Sequence, residues 1–137
     1  MKLRKTYVDS GVLIAAFRGQ GDPTARAMQI LDDPTREFVS SIYVKLETLP
    51  KAIYHNNVNE ISFYQNFFQS VRQWADQLDI IAETAFTQAS EFGLKAMDAL
   101  HVAAAMSIDA DEFVTTERST KPIHRVTAVN VVSLWQS

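Results

Sequence analysis

Four acidic residues, each in a different segment of the chain, have side chains suited to metal chemistry. They are Asp9, Glu47, Asp98 and Glu117. Asp9, Asp98 and Glu117 interrupt or directly follow apolar runs, where an ionised carboxylate is costly unless it is paired or binds a metal. Carboxylate oxygens are the ligands that Mg²⁺ and Mn²⁺ prefer. If the fold brings the four together, the sequence predicts a metal site that could assist phosphodiester hydrolysis.

The aspartate of the segment KAMDALHVAAAM is the strongest candidate on physical grounds. The helix predicted here is apolar almost all round, and Asp98 and His101 are its only polar side chains. A carboxylate in the first turn gains only about 0.3–1 kcal/mol from the helix dipole, which is small beside the cost of burying it unpaired. We therefore expect Asp98 to face a wet cleft or to bind a cation. His101 is expected to be a hydrogen-bonded core histidine, or else to orient a carboxylate or a phosphate.

The other three acids also have ordinary structural interpretations. Asp9 follows the first predicted strand, where sites form in α/β sheets, but Asp9 or Ser10 could equally cap the next helix. Glu47 could form an exposed i,i+4 pair with Lys51. Taken alone, Glu117 is typical of a loop acid. Their importance depends on the fold bringing them to one place.

Strands alternate with helices along the chain, which indicates a parallel sheet covered on both faces. The predicted strands are residues 6–8, 37–40, 78–82, 111–115 and 129–134. The predicted helices are residues 10–17, 23–31, 41–52, 60–75, 83–92 and 96–107. The third helix has an apolar stripe, formed by Ile42, Leu46, Leu49 and Ile53. Acids in the turns, Glu112 among them, are expected to be solvated.

The length and composition are typical of one folded domain. The chain has 137 residues, of which 47% are hydrophobic and 21% charged, and these values predict a single domain over residues 1–137. The absence of cysteine excludes disulfides, thiolate zinc sites and cysteine nucleophiles, and it is compatible with a reducing cytosol. The formal net charge is −3, so any contact with nucleic acid must come from a local basic patch.

The sequence gives no indication of a membrane segment. No apolar run approaches the roughly 18 residues of a membrane span. The N-terminus, with basic residues before an apolar stretch, superficially resembles a signal peptide, but Asp9 interrupts it and the apolar run GVLIAAF is short. We therefore expect a cytoplasmic protein without a membrane partner.

The segments that contain the four acids resemble the PIN-domain family. They are VDSGVLIA after the first strand, VKLETLPKAI in the third helix, and MDALHVAAA followed by FVTTE. The order of the acids and the spacing of the segments match, and the resemblance covers essentially the whole chain. It implies a three-layer α/β/α sandwich with a central parallel sheet. It also implies a divalent-metal ribonuclease, often a VapC-type toxin paired with an antitoxin.

The resemblance also implies roles for the four acids. By position, Asp9 and Asp98 would be the direct ligands of Mg²⁺ or Mn²⁺. Glu47 and Glu117 would complete the acidic pocket, in part through water. The family usually has aspartate after the VTT strand, and here Glu117 keeps the charge but is one methylene longer. It could reach the metal with a shifted backbone, or bind only through water.

Several polar and basic residues could contact an RNA substrate. Ser10 or Thr116 could orient a water or a phosphate, as the resemblance implies. The segment ERSTKPIHR is basic, and its Arg118 and Lys121, together with Lys51 of the third helix, could bind phosphates around a metal. A solvated basic face would account for these residues equally well.

The aromatic helix at residues 60–75 suggests a protein partner. Its Phe63 and Phe67 could lie on a second, exposed face, which predicts a homodimer or an antitoxin groove. Two other functions remain open. One is a catalytically weakened PIN-like module that binds RNA or a partner protein, and the other is a metal-dependent phosphatase acting on small phosphoesters.

Overall fold

The computed structural model describes residues 2–135, in which helices surround a five-stranded sheet. The strands are β1 (Arg4–Val8), β2 (Arg36–Ser41), β3 (Gln73–Ala75), β4 (Glu112–Thr115) and β5 (Asn130–Ser133). The helices are α1 (Ser10–Arg18), α2 (Asp22–Leu31), α3 (Ile42–Tyr54), α4 (Val58–Ser70), α5 (Leu78–Phe92) and α6 (Ala96–Ser107), and a 3₁₀ turn covers Pro122–Arg125. No helix in this part of the chain is long and apolar enough to cross a membrane.

The sheet is parallel throughout, with the strand order β3-β2-β1-β4-β5. Its central strand is β1, in which Tyr7 lies opposite Val39 of β2 and Phe113 of β4. Because helices flank this sheet, the predicted α/β/α sandwich is confirmed. The strand order reverses between β1 and β4, and in such sheets the carboxyl ends of the strands at the reversal form the usual binding cleft.

Burial on both faces explains why the central strands are continuously apolar. Tyr7 and Val8 of β1 are fully buried, as are Phe113 and Val114 of β4. They belong to one contiguous core cluster, which also includes Val102 of α6. The helix α6 is buried over most of its surface, as its apolar sequence predicts.

The helix predicted at residues 60–75 is wrong at its C-terminal end. The helix α4 ends at Ser70, and the chain then forms β3, in which Trp74 pairs with Ser40 of β2. The backbone of Arg72 donates to Phe38 on the same strand. Pairing with β2 therefore overrides the helical periodicity, and a strand of three residues is too short to leave a pattern in the sequence.

The strand predicted at residues 78–82 is also wrong, because this segment is the start of α5. A short apolar run is compatible with either structure, and sequence periodicity alone does not separate the two. The buried positions of α5 are Ile81, Ala85 and Gln88, which follow the helical repeat. The run of apolar residues therefore packs one face of a helix.

Glu112 is buried at the start of β4, so the expectation that it is solvated is wrong. Its Oε1 accepts hydrogen bonds from Thr6 Oγ1 at 2.8 Å and from Arg36 Nε at 2.5 Å. A longer contact of 3.4 Å joins its Oε2 to Arg4. These partners offset the cost of burying the charge, and they lie at the opposite edge of the sheet from the carboxyl ends of the strands.

The aromatic residues of α4 point mostly inward. Phe67 is buried and packs on Phe38, and Phe63 is half-buried against Phe17. The prediction of a second, exposed aromatic face is therefore wrong for Phe67. Its bulk fills the space between α4 and the sheet.

An exposed apolar surface lies instead on α3, on the stripe predicted from the sequence. Ile42, Leu46 and Ile53 are 42%, 59% and 53% exposed, and Leu49 between them is half-buried. The core-facing side of α3 is formed by smaller residues, namely Val44, Thr48 and Ala52. We call the four-residue surface the α3 stripe. It is the kind of exposed apolar patch that marks a contact with another protein.

Candidate active site

Asp9 lies at the carboxyl end of β1, directly before α1. Its Oδ1 accepts a hydrogen bond of 3.2 Å from the backbone N–H of Val12, so Asp9 caps the helix and Ser10 does not. Its Oδ2 accepts a hydrogen bond of 2.6 Å from the hydroxyl of Thr115. Burial raises the pKa of the Asp9 carboxyl to about 6, although the bond from Thr115 acts in the opposite direction. Asp9 therefore both caps α1 and lies at the strand end where a site is expected.

The end of β4, next to β1, is held rigidly. The hydroxyl of Thr115 accepts a 3.1 Å hydrogen bond from the backbone N–H of Glu117. The backbone carbonyl of Glu117 accepts hydrogen bonds from Ser133 at 2.8 Å and from His124 at 3.0 Å. Within residues 2–135, the carboxylate of Glu117 has neither a hydrogen-bond donor nor an ion-pair partner. Its main chain is thus fixed, while its side chain is available to the site.

Gly11 permits a close contact between α1 and the end of β4. A Cβ atom at this position would lie 2.5 Å from Oγ1 of Thr116 and 3.3 Å from Oδ1 of Asp9. The side chain of Thr116 therefore lies beside Asp9, where a residue that orients a water or a phosphate would be useful. Sequence analysis did not identify Gly11, because only the tertiary contact requires a glycine there.

Glu47 on α3 is held by side chains from two other helices. Oγ of Ser10 donates to Oε1 of Glu47 at 2.8 Å, and Nε2 of His101 is bonded to the same oxygen. The bond from His101 lowers the pKa of Glu47, burial opposes it, and the bond from Ser10 lowers it further. In the described part of the chain, Glu47 is hydrogen-bonded to His101, and the pair with Lys51 considered from the sequence is not formed.

His101 is buried and connects Glu47 to the core. Its side chain is 3% exposed, and its Nδ1 lies 2.8 Å from the hydroxyl of Tyr7. That hydroxyl lies 2.6 Å from Oγ of Ser41. His101 is therefore a hydrogen-bonded core histidine, as expected, and it also contacts a carboxylate. Tyr7 and Ser41 were not identified from the sequence, where nothing distinguishes them from ordinary strand residues.

Asp98, in the first turn of α6, is half-buried. Burial raises the pKa of its carboxyl, and the charge of Glu117 raises it further. Asp98 in turn contributes to the raised pKa of Asp9. Asp98 therefore lies within electrostatic range of both Asp9 and Glu117. No lysine or arginine in residues 2–135 forms an ion pair with any of them.

The donor chemistry of this site fits a hard divalent cation. Within the described residues, no three histidine, aspartate or glutamate side chains form a ready-made metal cluster. Mg²⁺, however, keeps several waters and is usually bound by only one or two carboxylates. Asp9 and Asp98 offer such oxygens, and burial raises the pKa of both, as expected where negative charge lacks a compensating cation.

The residues predicted to bind phosphate have different surroundings. Lys51 lines a small cavity of about 70 Å³ together with Glu47. The guanidinium of Arg118 stacks over the ring of Trp135, at 3.8 Å from its centre. Lys121 is exposed. Their roles in binding remain predictions.

The chain belongs to the PIN-domain family, because the family model of the PIN domain matches residues 6–121. The resemblance found in the sequence is thereby confirmed. No curated protein matches the chain by sequence.

Solved structures with a similar fold include a toxin–antitoxin complex. A toxin–antitoxin complex from Klebsiella pneumoniae is 21% identical, with a TM-score of 0.72, covering 96% of this chain and 99% of that chain. VapBC2 from Rickettsia felis, bound to a promoter DNA fragment, is 14% identical with a TM-score of 0.70 and the same coverage. FitAcB from Neisseria gonorrhoeae is 19% identical with a TM-score of 0.66, again covering 96% and 99%. These similarities show that the chain shares its fold with the three solved structures.

Proposed function

We propose that this protein is a divalent-metal-dependent endoribonuclease and the toxin component of a toxin–antitoxin pair. The observation that carries the proposal is the group of carboxylates formed by Asp9, Asp98 and Glu117. No lysine or arginine in residues 2–135 forms an ion pair with them, and Asp98 is close enough to the other two for the charges to interact. The similar structure from Klebsiella pneumoniae is described as a toxin–antitoxin complex, which supports the proposed role as a toxin.

The four acids have two kinds of role in the proposed reaction. Asp9 and Asp98 would hold Mg²⁺ or Mn²⁺, which supplies a bound water of lowered pKa and stabilises charge on the phosphate. Glu47 and Glu117 would position the attacking water. The hydroxyl of Ser10 already donates to Glu47, so its role would be to orient that carboxylate rather than a phosphate.

Basic side chains would offset the repulsion between these acids and RNA. Lys51 lies beside Glu47, and Arg118 and Lys121 follow the end of β4. Contacts of this kind bind the phosphate backbone without reading its sequence. Thr116, beside Asp9, would orient a phosphate or a water. An RNA substrate also implies a cytoplasmic location.

Replacing Asp9 or Asp98 with asparagine tests the function directly. Each variant should lose nearly all cleavage of a labelled RNA in Mg²⁺ or Mn²⁺, and EDTA should abolish cleavage by the unaltered protein. The matched control is Asp79→Asn, because Asp79 is an exposed aspartate in the first turn of α5. Cleavage that resists EDTA and both substitutions would contradict the proposal.

A second candidate is a PIN-domain module that binds RNA or a partner without cleaving it. Two observations favour it, namely the longer side chain of Glu117 and the lack of a ready-made metal cluster in residues 2–135. Calorimetric titration with Mn²⁺ distinguishes the ribonuclease from the non-catalytic module. Retained RNA binding without metal binding at millimolar Mn²⁺ would favour the module.

We also propose that the protein forms a homodimer and binds a cognate antitoxin. The α3 stripe supports a protein contact, because three large apolar side chains on one helix face water. We assign this stripe to the homodimer, since a self-complementary apolar patch suits a two-fold interface. A small DNA-binding protein encoded directly upstream would support the antitoxin.

A further inference from the structure

We propose that His101 is a positioning residue, which fixes the carboxylate of Glu47 through a directed chain of hydrogen bonds that begins at Ser41. This inference rests on the proposed ribonuclease function, because Glu47 is there one of the two acids that position the attacking water. It adds three residues to the site, namely Ser41, Tyr7 and His101, none of which is among the four acids.

The chain of hydrogen bonds is continuous and crosses the core. Oγ of Ser41 lies 2.6 Å from the hydroxyl of Tyr7, which lies 2.8 Å from Nδ1 of His101. Nε2 of His101 is bonded to Oε1 of Glu47. Ser41 and Tyr7 are fully buried and His101 nearly so, whereas Glu47 reaches the surface. Three elements, β1, α6 and the junction of β2 with α3, thus hold one carboxylate.

The carboxylate of Glu47 determines which group donates and which accepts in each of these hydrogen bonds. An ionised carboxylate only accepts hydrogen bonds, so Nε2 of His101 must carry the proton that it shares with Glu47. In the neutral imidazole, Nδ1 is then an acceptor, and the hydroxyl of Tyr7 donates to it. The oxygen of Tyr7 is left to accept from Ser41.

The arrangement leaves one oxygen of Glu47 for chemistry. Oε1 accepts from both His101 and Ser10, whereas Oε2 has no side-chain donor within residues 2–135. Two donors on one oxygen restrict rotation of the carboxylate. Oε2 is therefore presented in one orientation, as a residue that positions a water requires. Outer partners of this kind typically change activity about 10- to 100-fold when removed.

Nitrogen NMR of the histidine rings tests the chain without reference to activity. In the unaltered protein, the His101 ring should carry its proton on Nε2, with Nδ1 as the acceptor. His101→Gln assigns the signal among the three histidines of the sequence. Protonation of Nδ1, either in the other tautomer or in the imidazolium, would overturn the proposed direction.

Steady-state cleavage kinetics test the positioning role. Tyr7→Phe removes one hydroxyl and should lower kcat about tenfold or more, with little change in KM. The matched control is Tyr43→Phe, because Tyr43 packs edge-on against His101 but its hydroxyl makes no hydrogen bond in residues 2–135. Ser41→Ala should change kcat in the same direction, and it replaces Tyr7→Phe if that variant does not fold.

The outcomes separate this inference from the function on which it rests. Normal kcat in Tyr7→Phe or in Ser41→Ala, in a protein that cleaves RNA, would overturn the role of His101 and leave the ribonuclease intact. No cleavage by the unaltered protein would remove the ribonuclease function and the positioning role with it. The NMR result would then still report the hydrogen bonds.

Discussion

The hydroxyl of Thr115 donates a 2.6 Å hydrogen bond to Oδ2 of Asp9, which joins the ends of two adjacent parallel strands. The same hydroxyl accepts from the backbone N–H of Glu117. Thr115 is fully buried, so water cannot replace either bond. The side chain of Thr115 therefore fixes the carboxylate of Asp9 at the end of β1. It also fixes the main chain of Glu117 after β4.

Thr115→Val should damage both stability and metal binding. Valine has nearly the same shape but neither donates nor accepts, so the substitution leaves the N–H of Glu117 and one oxygen of Asp9 without their partner. We expect a loss of about 1–3 kcal/mol in the free energy of unfolding, measured in urea, and weaker binding of Mn²⁺. Thr115→Ser keeps the hydroxyl and is the control. Equal Mn²⁺ affinity in the valine and serine variants would contradict this account of Thr115.

Gly11→Ala should disturb the site through Thr116. In an ordinary helix, alanine is more favourable than glycine by about 1 kcal/mol. Here the new Cβ would lie 2.5 Å from Oγ1 of Thr116, and overpacking typically costs about 1–3 kcal/mol. We expect lower stability and lower cleavage activity. The free energies of unfolding of Gly11→Ala, Thr116→Ala and the double variant form a double-mutant cycle. This cycle isolates the energetic cost of the contact between the added Cβ and Thr116. Gly11→Ala should be less destabilising in the Thr116→Ala background, and equal costs in the two backgrounds would exclude the clash.

Loss of the charge on Glu112 should make the protein less stable at acidic pH. It should not affect the candidate active site. Burial raises the pKa of its carboxyl, but the hydrogen bonds from Arg36 and Thr6 outweigh burial and lower the pKa overall. A lowered pKa in the folded state stabilises the protein above the unfolded value of about 4.3. This contribution is lost as the pH falls through the folded value.

Glu112→Gln should therefore reduce the free energy of unfolding at pH 7 by about 1.5–3 kcal/mol, the range for a hydrogen bond to a charged group. Its stability should also fall less steeply below pH 4.3 than that of the unaltered protein. Urea titrations between neutral and acidic pH measure both effects. Glu83→Gln, at an exposed position of α5, is the control. An unchanged pH profile in Glu112→Gln would show that another carboxylate dominates acid unfolding.

Leu46→Lys should convert a homodimer into monomers. Leu46 is the most exposed of the apolar residues on the α3 stripe, and a charge there would have to be desolvated in an interface. Size-exclusion chromatography with light scattering gives the mass directly. Phe86→Lys is the control, because Phe86 is 77% exposed and belongs to a different helix, α5. A monomeric unaltered protein at high concentration would remove the homodimer, and a dimer that persists in Leu46→Lys would place the interface elsewhere.

Lys121→Ala should weaken RNA binding and reduce its dependence on salt. Each phosphate contact that is lost lowers the slope of log affinity against log salt by somewhat less than one. Filter binding with the Asp98→Asn variant avoids cleavage during the measurement. Lys2→Ala is the control, because Lys2 is an exposed lysine that precedes β1, at the edge of the sheet opposite the acids. Identical salt slopes for the Lys121 variant and its parent would remove Lys121 from the binding surface.

The alternation of strands and helices was sufficient to predict the layers of the fold, because long buried elements leave strong periodic patterns. The short β3 left none, and the apolar start of α5 fits a strand as well as a helix. The α3 stripe shows a related difficulty. Periodicity correctly placed its four residues on one face, but only packing against the sheet decided that the opposite face is buried.

The sequence by itself determined the family, the parallel sheet and the candidate acids, since these depend on residue types and on local patterns. The tertiary structure alone decided which groups hold those acids in place. Thr115 reaches Asp9 from a neighbouring strand, and His101 reaches Glu47 from another helix. Such contacts join residues far apart along the chain. They depend on the register of the sheet and on helix packing, which a local pattern does not encode.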